Sequence, residues 1–246
     1  MSHLEGKVAL VTGGSRGIGA AIARRLAADG ADVALTYARS PEKAQGVVAD
    51  IQAQGRRGLA IAADNADPAA VEAAVRQTVS AFGRIDILVN NAGIFLVGTV
   101  DEVSVEDFDR TVAVNIRAAF FASKAAAAHM GEGGRIISIG SSLAERVPGP
   151  GISVYSLSKA ALIGMTKGLA RDLGPRGITV NLVHPGSTDT DMNPADGPMA
   201  DIQRSLMAIP RFGDAKDVAS AVAWLAGPGA RSVTGAGLLI DGGANA

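Results

Sequence analysis

The sequence has no cysteine and only three histidines among its 246 residues. The lack of cysteine excludes disulfides, thiolate nucleophiles and cysteine-ligated zinc. The histidines, at positions 3, 129 and 184, are widely separated along the chain, so we do not expect a histidine metal cluster. We therefore predict a protein that binds no metal.

The chain also lacks a charge imbalance and long apolar segments. Its formal net charge is −1, which gives no electrostatic reason to expect nucleic acid or an anionic membrane as a partner. No uninterrupted apolar stretch is long enough to cross a bilayer, and the first residues contain no apolar signal segment. We expect a soluble, cytoplasmic protein with neither a nucleic-acid nor a membrane partner.

What is present is a globular composition, 48% hydrophobic and 19% charged, in which short β-rich runs alternate with helical patterns. Apolar runs predict strands at 8–11, 33–35, 59–61, 85–89, 136–139, 178–183 and 238–240. Helical patterns lie between them at 17–29, 41–54, 68–82, 105–130, 154–173 and 215–226. This alternation, with right-handed crossovers, predicts one α/β domain over residues 1–246, built on a doubly wound parallel sheet with helices on both faces.

One long segment, residues 185–210, departs from this alternation and contains four prolines. Loops of this length in compact domains are usually functional. Because the segment follows the sixth predicted strand, it should lie at the carboxyl edge of the sheet, where open α/β folds bind ligands. We expect a substrate loop at about residues 187–210.

A glycine-rich turn, with the sequence TGGSRGIG at residues 12–19, separates the first predicted strand from the first helix. Its glycines allow the backbone to approach a diphosphate, and the following helix directs its N-terminal amides at the same group. The alternative is a tight turn without a ligand. The position between strand and helix favours phosphate binding.

Tyr155 and Lys159 are four residues apart in a predicted helix, so they lie on one face, about one turn from each other. An ammonium in that position is expected to lower the tyrosine pKa from its ordinary value of about 10 toward working pH, forming an acid–base unit. The alternative is a pair on the solvated face of a long helix.

The spacing of Gly13, Gly17 and Gly19 resembles the TGxxxGxG turn of the short-chain dehydrogenase/reductase family. Further matches follow in order along the whole chain: the segment 90–93 with the sequence NNAG, Asn115, Ser141, Tyr155, Lys159, and Pro185-Gly186. The chain looks most like the reductases related to 3-oxoacyl-[acyl-carrier-protein] reductase. The resemblance implies a Rossmann-type fold with seven strands in the order 3-2-1-4-5-6-7.

The same resemblance implies a nicotinamide cofactor. Strand two is followed by Arg39 and has no carboxylate at its end, so a 2′-phosphate would not be repelled and could pair with Arg16 and Arg39. We predict NADP(H); the alternative is that both arginines are solvated. Asp64 resembles an adenine contact, or it could cap the following helix. The expected cofactor contacts are Gly13, Ser15, Arg16, Gly17, Ile18, Gly19, Tyr37, Arg39, Ser40, Asp64, Asn65, Asn91, Ala92, Gly93, Tyr155, Lys159, Pro185, Gly186, Thr188 and Thr190.

By resemblance, Tyr155 donates a proton to a substrate carbonyl, and Lys159 lowers its pKa and holds the nicotinamide ribose. Asn115 would support a water chain, unless its hydrogen bonds are purely structural. A serine after strand five would position the carbonyl oxygen. Counting from the strand indicates Ser141, whereas counting back from Tyr155 indicates Ser142. We choose Ser141, because strand geometry fixes side-chain direction more firmly than loop length does.

For the substrate we expect a small or medium hydrophobic ketone or keto ester, reduced reversibly to a secondary alcohol. The pocket residues expected are Leu96, Ser142, Leu143, Val147, Met192 and Met199. A carrier-bound acyl thioester is an alternative, weakened by Glu132 where a base would help, although Arg176 remains. The runner-up function is an NAD-linked alcohol or sugar dehydrogenase, and a nucleotide-binding signalling protein without turnover represents a different class.

Members of the family usually form tetramers, in which the helices at 105–130 and 154–173 pack against those of a neighbour. Alanine-rich faces on these helices would permit close approach, so we expect a homotetramer, although the same alanines could pack inside a monomer. Trp224 lies in the apolar pattern of the last helix and is predicted to be in the core.

Overall fold

The computed structural model describes residues 3–246 as a seven-stranded parallel sheet in the order β3-β2-β1-β4-β5-β6-β7. The strands are β1 Val8–Val11, β2 Asp32–Tyr37, β3 Gly58–Ala62, β4 Ile87–Asn90, β5 Arg135–Ile139, β6 Thr179–Pro185 and β7 Gly237–Ile240. The main helices are α1 Gly17–Ala28, α2 Pro41–Ala53, α3 Pro68–Phe82, α4 Val105–Val112, α5 Ala118–Ala127, α6 Ser153–Leu173, α7 Ala200–Ser205 and α8 Ala215–Ala226. The predicted fold class and strand order are confirmed.

Helices cover both faces of the sheet because successive side chains of its inner strands point to opposite sides. On β1, Ala9 and Val11 pack into a cluster that contains Leu26 of α1 and Val222 of α8. Leu10, between them, packs on the other face with residues of α3 and α5. The parallel arrangement brings the carboxyl ends of all seven strands to one edge, where the candidate site lies.

The helix predicted at 105–130 is not continuous. It is formed by α4, a π-helical turn at Ala113–Arg117, and α5, which ends at Ala127. A π turn contains one more residue than an α-helical turn. The spacing of apolar residues along the sequence does not reveal such an insertion. Turns of this kind occur frequently at functional sites, and this one contains Asn115.

Part of the predicted substrate loop after β6 forms regular secondary structure. It contains α7, and Thr190 and Asn193 form an antiparallel bridge that closes a two-residue hairpin. The prediction of irregular structure throughout 185–210 was therefore wrong. A helix of six residues is shorter than the window in which periodicity identifies helices.

The prediction that Trp224 lies in the core was wrong. Trp224 is 48% exposed, because the buried stripe of α8 follows Val218, Val222 and Leu225, and Trp224 lies on another side of the helix. For the alanines of α5, the structure supports the alternative of packing inside the chain, since Ala118, Ala122 and Ala126 are buried within it. In the described part of the chain, none of the helices combines the length and apolar character that spanning a membrane requires.

Candidate active site

The glycine-rich turn is fixed by hydrogen bonds from two neighbouring strands. The Gly13 amide donates to Thr36 Oγ1 and the Gly14 amide to the Thr36 carbonyl, both at 2.9 Å. From the end of β4, Asn91 Nδ2 donates to the carbonyls of Thr12 and Gly13 at 2.9 and 3.1 Å. Asn91, predicted to contact the cofactor, thus also holds the backbone that forms the phosphate-binding turn.

Two glycines of the turn cannot be replaced without moving backbone. Gly13 has φ +64°, and a Cβ there would lie 2.9 Å from Cα of Ala92. A Cβ on Gly19 would lie 2.4 Å from the Gly13 carbonyl and from Asn91 Nδ2. The result is a bare backbone surface at the N-terminus of α1, which suits a diphosphate. The turn residues present therefore fit a dinucleotide.

The predicted adenosine end contains cations and an unexpected carboxylate. Arg16 and Arg39, the two predicted partners of a 2′-phosphate, are exposed beyond the ends of β1 and β2. Arg16 Nη1 lies 3.8 Å from Asp191 of the substrate loop, and Lys43 Nζ of α2 lies 2.8 Å from the same carboxylate oxygen. The hydrogen bond from Lys43, with the charges of both cations, lowers the pKa of Asp191. Lys43 and Asp191 could not be paired from the sequence, because they are 148 positions apart and meet only in the fold.

The other residues predicted to contact the adenosine lie at or just after the ends of β2 and β3. Tyr37 and Ser40 are partly buried at the end of β2. Asp64 accepts from the Ala66 amide at 2.9 Å and does not cap α3, since Asp67 performs that role by accepting from the Ala69 amide. The alternative that this pair caps the helix was therefore wrong. Asp64 is exposed and Asn65 is partly buried.

Asn90, at the end of β4, has a structural role. Its Nδ2 donates to Ser123 Oγ of α5 at 3.0 Å and to Ser138 Oγ of β5 at 3.3 Å. These bonds connect the strand end to the neighbouring strand and to the helix that covers it. They fix the point from which Asn91, Ala92 and Gly93 extend toward the glycine turn.

Tyr155 and Lys159 lie side by side in the first turns of α6, with Lys159 Nζ 5.7 Å from the centre of the tyrosine ring. The Tyr155 phenol is hydrogen-bonded to the hydroxyl of Ser141. The Phe95 ring stands edge-on to Tyr155 at a centroid distance of 4.7 Å. Phe95 was not among the predicted pocket residues, although it neighbours Leu96. The structure therefore brings the predicted tyrosine, lysine and serine together.

The expected lowering of the Tyr155 pKa by Lys159 is wrong for this structure. Burial raises the Tyr155 pKa above its ordinary value of 10.0, and the hydrogen bond with Ser141 only partly opposes this rise. Lys159 is buried and donates to the Ile139 carbonyl at 2.9 Å. Burial lowers its own pKa from 10.5 to about 8, because removal from water disfavours the charged ammonium. Tyr155 is thus a neutral phenol at neutral pH.

The π turn directs Asn115 at the same centre. Asn115 Oδ1 accepts from the Ile94 amide at 2.9 Å, and its Nδ2 donates to the Ile94 carbonyl and to Ser158 Oγ, both at 3.0 Å. A Cβ on Gly93 would lie 3.4 Å from both Asn115 Oδ1 and Lys159 Nζ. Asn115 therefore holds the segment after β4 in position, which is the structural role that the sequence left open.

The two candidate serines differ in what they contact. Ser141 Oγ meets the Tyr155 phenol and accepts from the Leu143 amide at 3.2 Å. The Ser141 carbonyl lies 2.8 Å from His184 Nδ1, which must donate because a carbonyl can only accept. Ser142 uses its carbonyl to accept from Asn245 Nδ2 at 2.8 Å. The geometry favours Ser141, in agreement with its position relative to β5.

The segment after β6 completes the site beside the glycine turn. Gly186 packs so closely on Asp241 that a Cβ would lie 2.6 Å from its Cα. Thr188 is buried and its hydroxyl donates to the Gly186 carbonyl at 3.1 Å. Thr190 Cγ2 lies 3.5 Å from the position of a Cβ on Gly17. Pro185, Gly186, Thr188 and Thr190 thus follow the edge predicted to contact the cofactor.

The predicted pocket walls are mainly apolar. Val147, Met192 and Met199 are each more than half exposed, whereas Leu96 and Leu143 are partly buried. Phe95, which contacts Tyr155, adds an exposed aromatic side chain. In residues 3–246, no three histidine, aspartate or glutamate side chains cluster as metal ligands.

Known proteins resemble this chain over nearly its full length. A family model described as enoyl-(acyl carrier protein) reductase matches residues 13–245. The crystal structure of a short chain dehydrogenase from Burkholderia cenocepacia J2315 in complex with NADP is 67% identical, with a TM-score of 0.98 over 99% of this chain and 100% of that chain. The cyclic-di-GMP-binding biofilm dispersal mediator protein of Escherichia coli K12 is 51% identical over 98% of each chain. The 3-oxoacyl-[acyl-carrier-protein] reductase FabG of Staphylococcus aureus Mu50 is 40% identical over 96% of this chain and 97% of that protein.

Proposed function

Because the chain belongs to the short-chain dehydrogenase/reductase family, we propose that it is an NADPH-dependent reductase that converts a ketone or keto ester reversibly to a secondary alcohol. The observation that supports this most strongly is the Tyr155 phenol, hydrogen-bonded to Ser141 with Lys159 one helical turn away. In the reverse direction the same enzyme would act on CH–OH groups.

The cofactor proposal rests on the shape and charge of the nucleotide cleft. The backbone at Gly13 and Gly19 leaves room for a diphosphate. Arg16 and Arg39 are exposed cations that follow β1 and β2, and a guanidinium can pair with a 2′-phosphate. The relative from Burkholderia cenocepacia was crystallised with NADP. When bound, NADPH supplies the hydride for the reaction. Relative affinities for NADPH and NADH test this proposal, and tighter binding of NADH would indicate an NAD-linked dehydrogenase instead.

In this proposal Tyr155 is the general acid of the reduction. Its raised pKa keeps the phenol protonated at neutral pH, so it has a proton to donate to a carbonyl oxygen placed within hydrogen-bond distance. Ser141, already bonded to the phenol, would hold the same oxygen. Lys159, with a pKa of about 8, can exchange a proton near neutral pH and so restore the phenol. Asn115 keeps the backbone at Ile94 in position beside this group.

The proposed substrate is a small or medium hydrophobic ketone or keto ester, because Phe95 lies against the Tyr155 ring with its side chain exposed, and the substrate loop exposes the apolar side chains of Met192 and Met199. A carrier-bound thioester is less well supported. Arg176, the remaining base beside the predicted carrier surface, donates to the carbonyls of Ala127 and Met130 at 2.6 and 2.9 Å. One nitrogen of its guanidinium, Nη2, thus closes the chain beyond the end of α5 by donating to both carbonyls.

A substrate panel tests this choice. NADPH oxidation is measured with hydrophobic ketones, keto esters and a 3-oxoacyl-carrier thioester at equal concentrations. We expect kcat/KM for the best ketone or keto ester to match or exceed that for the thioester. Strict preference for the thioester would assign the chain to the carrier-linked reductases instead.

A second candidate function is nucleotide binding without turnover. The observation that favours it is 51% identity to a protein named for cyclic-di-GMP binding. The convergence of Asn115, Ser141, Tyr155 and Lys159 favours the enzyme, because a binding protein has no need of an acid–base group. Calorimetry with cyclic-di-GMP, beside the substrate panel, distinguishes the two: binding without any carbonyl reduction would support the second candidate.

We also propose a homotetramer, formed through α4, α5 and α6. These helices leave Phe108, Phe120 and Leu157 exposed at 38%, 44% and 49%, and large apolar side chains of this kind are enriched at interfaces between subunits. Light scattering of the full chain measures the assembly, and the substitution Phe120→Glu is expected to weaken it.

A further inference from the structure

We propose that Lys43, together with Arg16, binds the 2′-phosphate of NADP(H), and that Asp191 of the substrate loop competes with this phosphate for the two cations. This inference rests on the proposed function, since it concerns the cofactor of that reaction. It adds to the predicted contacts Arg16 and Arg39 a further cation, and it assigns an opposing carboxylate to the substrate loop.

The position of Asp191 shows where a phosphate fits. Its Oδ2 atom lies 2.8 Å from Lys43 Nζ and 3.8 Å from Arg16 Nη1. One anionic oxygen therefore bridges the first turn of α2 and the residue that precedes α1. Both helices begin just after adjacent parallel strands, β1 and β2, so the two cations meet at the sheet edge beside the glycine turn. A phosphate places several anionic oxygens in such a gap.

The hairpin that presents Asp191 is held independently of this ion pair. Asp191 and Met192 form its tip, closed by backbone bonds between Thr190 and Asn193. The side-chain amides of Asn193 and Gln203 exchange two hydrogen bonds of 2.9 Å, which attach the hairpin to α7. The tip is therefore already directed at the glycine turn, and loss of the ion pair changes charge without removing its support.

Competition follows from the charges. A 2′-phosphate between Lys43 and Arg16 repels the Asp191 carboxylate, so NADPH must displace it, whereas NADH leaves the ion pair intact. All three side chains are about half exposed, 56%, 58% and 51% for Lys43, Arg16 and Asp191, so each contribution is moderate. Met192, the other residue of the tip, is an expected pocket wall. Because Asp191 and Met192 are adjacent in the chain, displacement of Asp191 also shifts Met192 and thereby this wall of the substrate pocket.

Calorimetric binding of NADPH and NADH to the full chain tests this proposal without reference to turnover. We expect Lys43→Gln to weaken NADPH binding by about tenfold, since it removes a charge-assisted contact, and NADH binding by less than about twofold. Asp191→Asn removes the competitor, so it should tighten NADPH binding by about threefold, the effect of an exposed ion pair, and leave NADH binding unchanged. In the Lys43→Gln background the gain from Asp191→Asn should shrink, because one of the two contested cations is gone.

A matched control is available on the same helices. Arg24 of α1 and Asp50 of α2 form an exposed ion pair at 2.7 Å, and Arg24→Gln and Asp50→Asn should change neither affinity. An unchanged NADPH affinity in Lys43→Gln, or weaker NADPH binding in Asp191→Asn, would overturn the inference. If the unmodified chain prefers NADH, the cofactor proposal itself fails, and that result is distinct because it needs no variant.

Discussion

Replacing Lys159 with methionine should remove a pH-dependent part of the stability of this protein. The Lys159 ammonium is buried, and its pKa is lowered from 10.5 to about 8. Below pH 8 both the folded and the unfolded chain hold the proton, and the folded chain bears the cost of the buried charge. Between pH 8 and 10.5 the unfolded chain binds more protons at this site than the folded chain does. The free energy of unfolding must therefore rise with pH over this interval.

The magnitude follows from the shift of the pKa. Each pKa unit corresponds to about 1.4 kcal/mol, so Lys159 alone should contribute a rise of about 3 kcal/mol. In Lys159→Met this rise is absent. The difference in unfolding free energy, wild type minus variant, is therefore expected to increase by about 3 kcal/mol between pH 7.5 and pH 10.5.

Urea unfolding at a series of pH values, at one protein concentration, measures this difference. Lys167→Met is the matched control, since Lys167 is exposed on the same helix and its removal should give no comparable rise. A difference between wild type and Lys159→Met that stays flat, or falls, as the pH is raised would show that the Lys159 ammonium is not buried as described.

Two further substitutions, each with a control substitution, test the site, and the pH dependence of the rate tests its acid. Ser141→Ala should lower kcat of carbonyl reduction by about tenfold or more, because the hydrogen bonds to the phenol and to the substrate oxygen are lost. The control Ser142→Ala should lower kcat by less than about threefold. Equal losses of kcat in the two variants would contradict the choice of Ser141. Gly19→Ala should abolish NADPH binding measured by calorimetry, because its Cβ would lie 2.4 Å from the Gly13 carbonyl. In the control Gly46→Ala, in α2, the new Cβ meets no atom within 4 Å, and this variant should stabilise the chain by about 0.5–1 kcal/mol. Loss of rate through ionisation of Tyr155 should occur only above its ordinary pKa of 10.0. A Tyr155-dependent loss near neutral pH, measured at saturating NADPH, would indicate that the Tyr155 pKa is lowered.

The sheet could be predicted because parallel strands that are covered on both faces consist of nearly continuous apolar residues, as at 8–11 and 136–139. Glycines forced by close backbone contact, Gly13 and Gly19 above all, were predictable from their spacing between a strand and a helix. The tyrosine, lysine and serine were found by their order along the chain and their resemblance to a family pattern.

What the sequence did not reveal depends on contacts between distant segments. The ion pair of Lys43 with Asp191 forms only when the substrate loop lies across the start of α2. The edge-on contact of Phe95 with Tyr155 likewise needs the tertiary structure. The pKa of Tyr155 is raised because the phenol is buried. The four-residue spacing between Tyr155 and Lys159 gives no information about burial. Trp224 shows the same limit, since one position along a helix changes a buried side chain into an exposed one.

The most direct test of the proposed chemistry is Tyr155→Phe, assayed both for turnover and for NADPH binding. Phenylalanine keeps the ring that meets Phe95 and removes only the acidic hydroxyl. We predict that NADPH oxidation with the best carbonyl substrate falls by about 10²- to 10⁴-fold, while the dissociation constant for NADPH changes by less than about threefold. Turnover close to the wild-type rate in this variant would contradict the assignment of Tyr155 as the proton donor.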